Sequence, residues 1–183
     1  MDPGAESYRR FLAGDEKALT AILKLYREGL VLFLDGYVHN IAAAEDLAQD
    51  VFVKLCVKKP PFKGESAFKT WLFSIGRRAA IDHLRKNRRV SDGPPDETLA
   101  AETQNVEETY LRAERDETVW RAMQRLPEAY REILFLTYFE GLPNKAAAKV
   151  LHKSTHNVET LVSRARKALR SALEKEEFDN ESL

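Results

Sequence analysis

Apolar side chains recur at helical spacing along most of this chain, and nowhere do they alternate in the manner of a half-buried strand. The pattern predicts a short helix over about Glu6–Ala13, a break at Gly14 and Asp15, and a long helix capped by Asp15 and running to about Val38. Leu19, Ile22, Leu23, Tyr26, Leu30, Phe33 and Leu34 share the broad inner face of that helix. A third helix, about Ala43–Val57, turns Leu47, Val51 and Leu55 inward and Glu45, Asp46, Gln49 and Asp50 outward, with Phe52 on the boundary. Pro60 and Pro61 stop it. After the loop PPFKGES, Ser66 caps a fourth helix to about Arg89, which buries Phe68, Trp71, Leu72, Ile75 and Ala79.

Periodicity then lapses. The stretch VSDGPPDETLAAETQNVEET is polar, acidic and marked by Gly93, Pro94 and Pro95, and reads as a flexible linker until helical spacing resumes near Tyr110. Pro127 suits the first turn of a helix, where its missing N–H costs nothing. Tyr130, Ile133, Leu134, Thr137 and Tyr138 follow at helical spacing, and Gly141 ends the element. Asn144 caps a short helix through Leu151, which Ala146, Ala147 and Ala148 keep thin enough for close packing. His152 and Lys153 form a turn, and Ser154 or Thr155 caps the last helix. There Val158, Leu161, Val162, Ala165, Leu169 and Ala172 form an apolar stripe, with Thr160, Ser163, Arg164, Lys167 and Arg170 opposite. An isolated amphipathic helix of this kind is ordinarily just a packed helix with a solvated outer face. Placed after a thin helix and a tight turn, it follows the plan of a helix-turn-helix reader of duplex DNA, with His156, Asn157, Glu159 and Thr160 where base edges would be met.

The expected fold is therefore all-α, in two small helical domains: a four-helix module over 1–90, a linker over 91–110, a helix-turn-helix module over 111–176 and an acidic tail over 177–183. Charge sharpens this. The formal net charge is zero, but residues 1–90 hold 16 basic against 11 acidic side chains and 118–173 hold 10 against 4. Residues 91–117 hold 2 against 9, and 174–183 hold 1 against 5. Two basic blocks split by an acidic one suggest two modules that touch a polyanion and a strap that does not. The fourth helix closes on Arg77, Arg78, Arg85, Lys86, Arg88 and Arg89. Basic residues interleaved with aromatics suit single-stranded nucleic acid, where cations meet phosphates and rings stack on bases. Phe68 and Trp71 lie at core spacing, which leaves Phe62 and Phe73 freer for bases, beside Lys63 and Gly64.

Several function classes drop out. Cys56 is the only cysteine, and His39, His83, His152 and His156 are scattered, so neither a disulfide nor a metal site is expected. No phosphate-binding glycine loop, nucleophile elbow or convergent acid–base cluster is visible, so neither an enzyme nor a cofactor is expected. The start MDPGAESYRR lacks a signal-peptide core and no apolar run approaches ~18 residues, which fits a reducing cytoplasm.

Four segments together resemble the extracytoplasmic-function class of bacterial sigma-70 factors. AAAEDLAQDVFVKL (42–55) is similar to the family's acidic helix, and FKGESAFKTWLFSIGRRAAIDHLRKNRR (62–89) to the segment next to it. LPEAYREILFLTYFEGL (126–142) and SRARKAL (163–169) resemble its C-terminal module. The resemblance implies that Glu45, Asp46, Gln49, Asp50 and Phe52 dock on the clamp helices of the largest subunit of core RNA polymerase. It implies that Phe62–Arg89 melts and reads the promoter's −10 element, and that the last helix reads the −35 element beside the polymerase flap. It also implies a linker threaded toward the RNA exit path and a cognate anti-sigma protein, often membrane-anchored in the family. Three departures stand out: Arg78 where the family often has Asn, Gly76 for the usual Ala, and Asn157-Val158-Glu159 where Thr-Val-Lys/Arg is frequent. The competing reading is a stand-alone helix-turn-helix regulator, in which the acidic helix and the basic-aromatic segment have no task.

Overall fold

The computed structural model describes residues 2–91 and 114–180, with side chains for 2–88 and 118–174. Of the linker expected over 91–110, all but Ser91 lies outside these, as do the Arg89 side chain and the side chains of the acidic tail expected over 177–183. The chain forms two compact units, and the described residues of each contain four α-helices and no strand.

The N-terminal unit comprises α1 (Pro3–Leu12), α2 (Lys17–Val38), α3 (Ile41–Lys58) and α4 (Phe68–Ser91). Helix α1 starts earlier than the apolar spacing implies because Asp2 caps it, accepting from the N–H groups of Gly4 and Ala5 at 3.0 and 3.1 Å, with Pro3 in the first turn. Asp15 does not cap α2. Glu16 stands at the cap position without a side-chain bond, while the Asp15 carboxylate takes Arg10 Nε at 3.0 Å. Between α2 and α3, His39 adopts the left-handed conformation and Asn40 caps the next helix by accepting from Ala43 N–H at 3.0 Å. Nor does Ser66 cap α4. The first N–H of that helix, at Phe68, donates instead to the second carboxylate oxygen of Asp2 at 2.6 Å.

Tyr8, Phe11, Ile22, Tyr26, Leu30, Phe33, Leu34, Val51, Leu55, Phe68, Leu72 and Phe73 make up the core of this unit. Each large apolar side chain buried there contributes about 1.5–3 kcal/mol. Helix α4 is rotated by about one residue from the expected face: Leu72, Phe73, Gly76 and Ala80 point in, while Trp71, Ile75 and Ala79 are half-buried. Gly76 explains the rotation, because a Cβ there would lie 2.6 Å from Leu30 Cδ1. The bare backbone at that position is what α2 packs against.

The C-terminal unit comprises α5 (Glu114–Gln124), α6 (Glu128–Leu134), α7 (Asn144–Leu151) and α8 (Thr155–Asn180). Helix α6 continues into a π-helical turn, Phe135–Phe139, closed by Glu140 N–H donating to Phe135 C=O at 3.0 Å. The extra residue in that turn rotates the side chains beyond it. Phe135 and Leu136 are buried, Phe139 packs on Trp120, and Tyr138, expected inside, is 62% exposed. Gly141 leaves the element at φ +65°. Ser154 caps α8, its hydroxyl accepting from Asn157 N–H at 3.2 Å, and Val158, Val162, Ala165 and Leu169 face the core as the stripe requires.

Gly4 offers a test of how tightly α1 is seated. A Cβ at this position would run into the Tyr26 hydroxyl and the Phe68 ring. Gly4→Ala should therefore destabilise the N-terminal unit by about 1–3 kcal/mol, despite alanine's better helix propensity, in urea unfolding followed by circular dichroism.

Candidate nucleic-acid and protein interfaces

Three exposed surfaces gather nearly all of the residues expected to carry function. On α3, Asp46, Gln49 and Asp50 are exposed at helical spacing, while Glu45 is half-exposed and meets Arg27 of α2 at 3.2 Å. A bridge that open to solvent adds little stability. Phe52 is 5% exposed and belongs to the core, so it supports this face from below and does not present itself on it. The surface gains instead Val53, 49% exposed, and Val57, 74% exposed, which continue the stripe one and two turns on. Sequence reasoning passed over these two valines, although they fall at the spacing of the acidic residues. The result is a surface that is charged at one end and apolar at the other, a composition suited to a protein partner.

The second surface is the loop before α4 together with the outer side of that helix. Lys63, Gly64 and Glu65 are exposed, and Gly64 sits at φ +73°, a conformation that favours glycine. Phe62 is half-buried, with its ring edge-on to Phe68 at 5.6 Å and against Trp71 at 5.3 Å. Arg78, Arg85, Lys86 and Arg88 are exposed and Arg77 is half-buried. Phe73 is a correction to the sequence reading. It is 0% exposed and lies 5.2 Å from the Phe33 ring, so it cannot reach a base without leaving the core. The rotation that turns it inward is the one set by Gly76 and Leu30.

The third surface is the first half of α8. His156, Asn157, Glu159, Thr160, Ser163, Arg164 and Lys167 are all exposed, and the Thr160 hydroxyl donates to His156 C=O at 3.2 Å. Arg170, placed on this face from sequence, is exposed too, and so are Thr155 and Arg166, which widen the face beyond the residues singled out from sequence. Side chains near the start of such a helix can meet base edges, and those further along can meet phosphates. Among the described residues, no cluster of histidine, cysteine and carboxylate side chains could hold a metal ion.

Residues 22–90 match the family described as sigma-70 region 2, and residues 116–169 match that described as sigma-70, region 4. Over 179 residues the chain is 32% identical to the RNA polymerase sigma-H factor of Pseudomonas aeruginosa, covering 90% of this chain and 91% of that protein. It is 27% identical over 170 residues to the ECF RNA polymerase sigma-E factor of Escherichia coli, covering 87% and 88%. Among solved structures, the sigma factor RpoE in complex with the anti-sigma factor NepR from Bartonella quintana aligns with a TM-score of 0.66 at 28% identity. That alignment covers 86% of this chain and 98% of that one.

Beneath the third surface, Glu132 of α6 is a buried carboxyl. Burial pushes it up to about 7, and the Lys153 charge in the turn before α8 pulls the other way. An unfolded glutamate titrates near 4.5, so folding takes up a proton between the two values. The associated stability is fully present below about 4.5 and is lost as pH rises through about 7. Between pH 5 and pH 8 the C-terminal unit should lose on the order of 1–3 kcal/mol from this group. Glu132→Gln should flatten that loss, read by Trp120 fluorescence during urea unfolding in a Trp71→Phe background.

Proposed function

We propose a division of labour over the surfaces of this chain, which belongs to the extracytoplasmic-function class of the sigma-70 family and is an RNA polymerase sigma factor. The observation that carries the reading is the pairing of regions: region 2 over 22–90 and region 4 over 116–169, on one chain and in that order. A stand-alone helix-turn-helix regulator would use only the second. As a sigma factor the chain binds core polymerase and promoter DNA and directs initiation; the bond-making chemistry is the polymerase's.

In our reading, α3 docks on the clamp helices of the largest polymerase subunit through Asp46, Gln49 and Asp50, with Glu45 at the margin and Val53 and Val57 filling apolar pockets. The loop at Phe62, Lys63 and Gly64 holds a base drawn out of the non-template strand of the −10 element. Arg77, Arg78, Arg85, Lys86, Arg88 and Arg89 track the strand's phosphates. Unstacking a base costs a few kcal/mol, which cationic and stacking contacts offset. The start of α8 reads the −35 element. There His156, Asn157, Glu159 and Thr160 lie toward base edges and Ser163, Arg164 and Lys167 toward phosphates, while the same module meets the polymerase flap. Glu159 would repel phosphate but can accept from cytosine N4. The sigma factor from Bartonella quintana is held by an anti-sigma factor, and we infer a cognate anti-sigma partner for this chain, membrane-anchored as in many of the family. The site of action we assign is the bacterial cytoplasm; no helix among the described residues is long and apolar enough to cross a membrane.

Asp50→Arg should abolish co-purification with core polymerase while leaving the thermal melt unchanged, since losing a charged interface partner commonly costs ~2–5 kcal/mol. Undiminished co-purification would remove α3 from the interface. On a panel of −35 variants, Lys167→Ala should weaken every sequence alike and lower the salt slope by ~1, whereas Glu159→Gln should cost ~1–3 kcal/mol at one base position only. Equal shifts across the panel for both would show that Glu159 reads no base.

A further inference from the structure

Helix α1 lies ahead of the region 2 match, which begins at residue 22, yet it is bonded to both ends of the loop assigned above to base capture. At the loop's start, the Tyr8 hydroxyl donates to Pro60 C=O at 2.8 Å, and Lys59 Nζ lies 5.1 Å from the Phe11 ring centroid. At its end, Phe68 N–H donates to Asp2 Oδ2 at 2.6 Å. Between these points Phe62 rests on Phe68 and Trp71, and the Tyr8 ring packs on the same two rings, each at 5.4 Å. Gly4 lets α1 come this close, because a Cβ there would collide with Phe68.

We propose that α1 is the positioning element of the base-capturing loop, with Tyr8 and Asp2 as its positioning residues. The proposal rests on the reading that the Phe62–Gly64 loop holds the extruded base. Two anchors, one at each end, restrict how far the loop can open or slide. The rings beneath Phe62 fix its height, so a base arriving between Phe62 and Lys63 meets a site already formed. A loop held in its binding conformation spares the ordering cost that a free loop would meet on binding. The anchors' hydrogen bonds go to Pro60 and Phe68 and not to the exposed residues of α3, so docking on polymerase should be independent of them.

Two substitutions separate positioning from simple stability. Tyr8→Phe keeps the ring stack and removes one hydroxyl. Asp2→Asn keeps an oxygen for the α1 cap, at which asparagine and aspartate are about equal. It places an NH2 group where the Phe68 N–H needs an acceptor. Holoenzyme is reconstituted with each variant and titrated with single-stranded non-template DNA from a promoter that the wild-type holoenzyme transcribes. The strand carries 2-aminopurine at successive positions, because this base brightens when unstacked. Each variant should bind the strand about three- to tenfold more weakly, the loss expected from one hydrogen bond. Each should also show a lower 2-aminopurine plateau at saturation, with affinity for core polymerase and for duplex carrying only the −35 element unchanged, and a thermal midpoint lowered by several degrees at most.

Phe62→Ala and Lys63→Ala are measured alongside. If these two weaken strand binding while Tyr8→Phe and Asp2→Asn match wild type, the loop captures the base and α1 does not position it, which overturns the proposal alone. If all four variants match wild type, the loop reading fails and takes the proposal with it. If core affinity falls in step with strand affinity in Tyr8→Phe and Asp2→Asn, α1 merely holds the module together, and the proposal is overturned as well.

Discussion

The close approach of α2 and α4, with Leu30 against the bare backbone of Gly76, is the constraint on which the N-terminal unit turns. It decides which of two adjacent apolar stripes on α4 enters the core. With Phe73 and Ala80 inside, Arg78 and Arg85 are driven to the opposite side, and Trp71 is left at the edge where Phe62 can lean on it. A basic outer face on this helix is thus a by-product of how its inner face packs. Interiors at near-crystalline density give such choices a sharp answer, because a helix turned by one residue would leave both a void and a clash.

Much of this architecture was legible in the sequence, and the exceptions have physical causes. Helix number and order came from apolar spacing and from Pro60, Pro61 and Gly141, which act locally. The exposed face of α8 was read correctly because one strong stripe, Val158 to Leu169, allows only one orientation. In FKTWLFSIGRRAAI the apolar residues are dense enough for two stripes, and a glycine registers in neither, so the stripe that fits was hidden until Leu30 was in place. Tyr138 was misplaced because a π turn breaks the period on which the reading depends. The double role of Asp2 spans 66 residues of sequence and leaves no local sign. Among the candidate interface residues, the exposed charged ones were more readily legible than Val53 and Val57. An exposed valine looks like any other valine until burial is known.

The charge arrangement bears on how the two surfaces proposed to face DNA would work. With no net charge overall, attraction to DNA is confined to local faces and does not arise from the molecule as a whole. On α8, Lys167 and the exposed Glu174 are separated by roughly 10 Å of helix rise, a little more than the ~8 Å screening length at physiological salt. Arg164 and Lys167 therefore feel that carboxylate only weakly, while Arg170, one turn from it, is partly offset. Each surface alone offers only a few phosphate contacts. In the proposed reading, occupancy of a promoter calls for both, held on one particle by the polymerase.

The π turn at Phe135–Phe139 has a consequence for comparing related chains. Such a turn is what a helix makes of one surplus residue: the backbone swells by one unit and resumes its course, and the parts on either side keep their places. Between this chain and a relative whose helix is regular there, the natural place for a single-residue gap is inside the helix, among FLTYF, and not in the loop at Gly141. Aligned through the loop, the two would mismatch Tyr138 against a core position, and a difference in length would pass for a difference in chemistry.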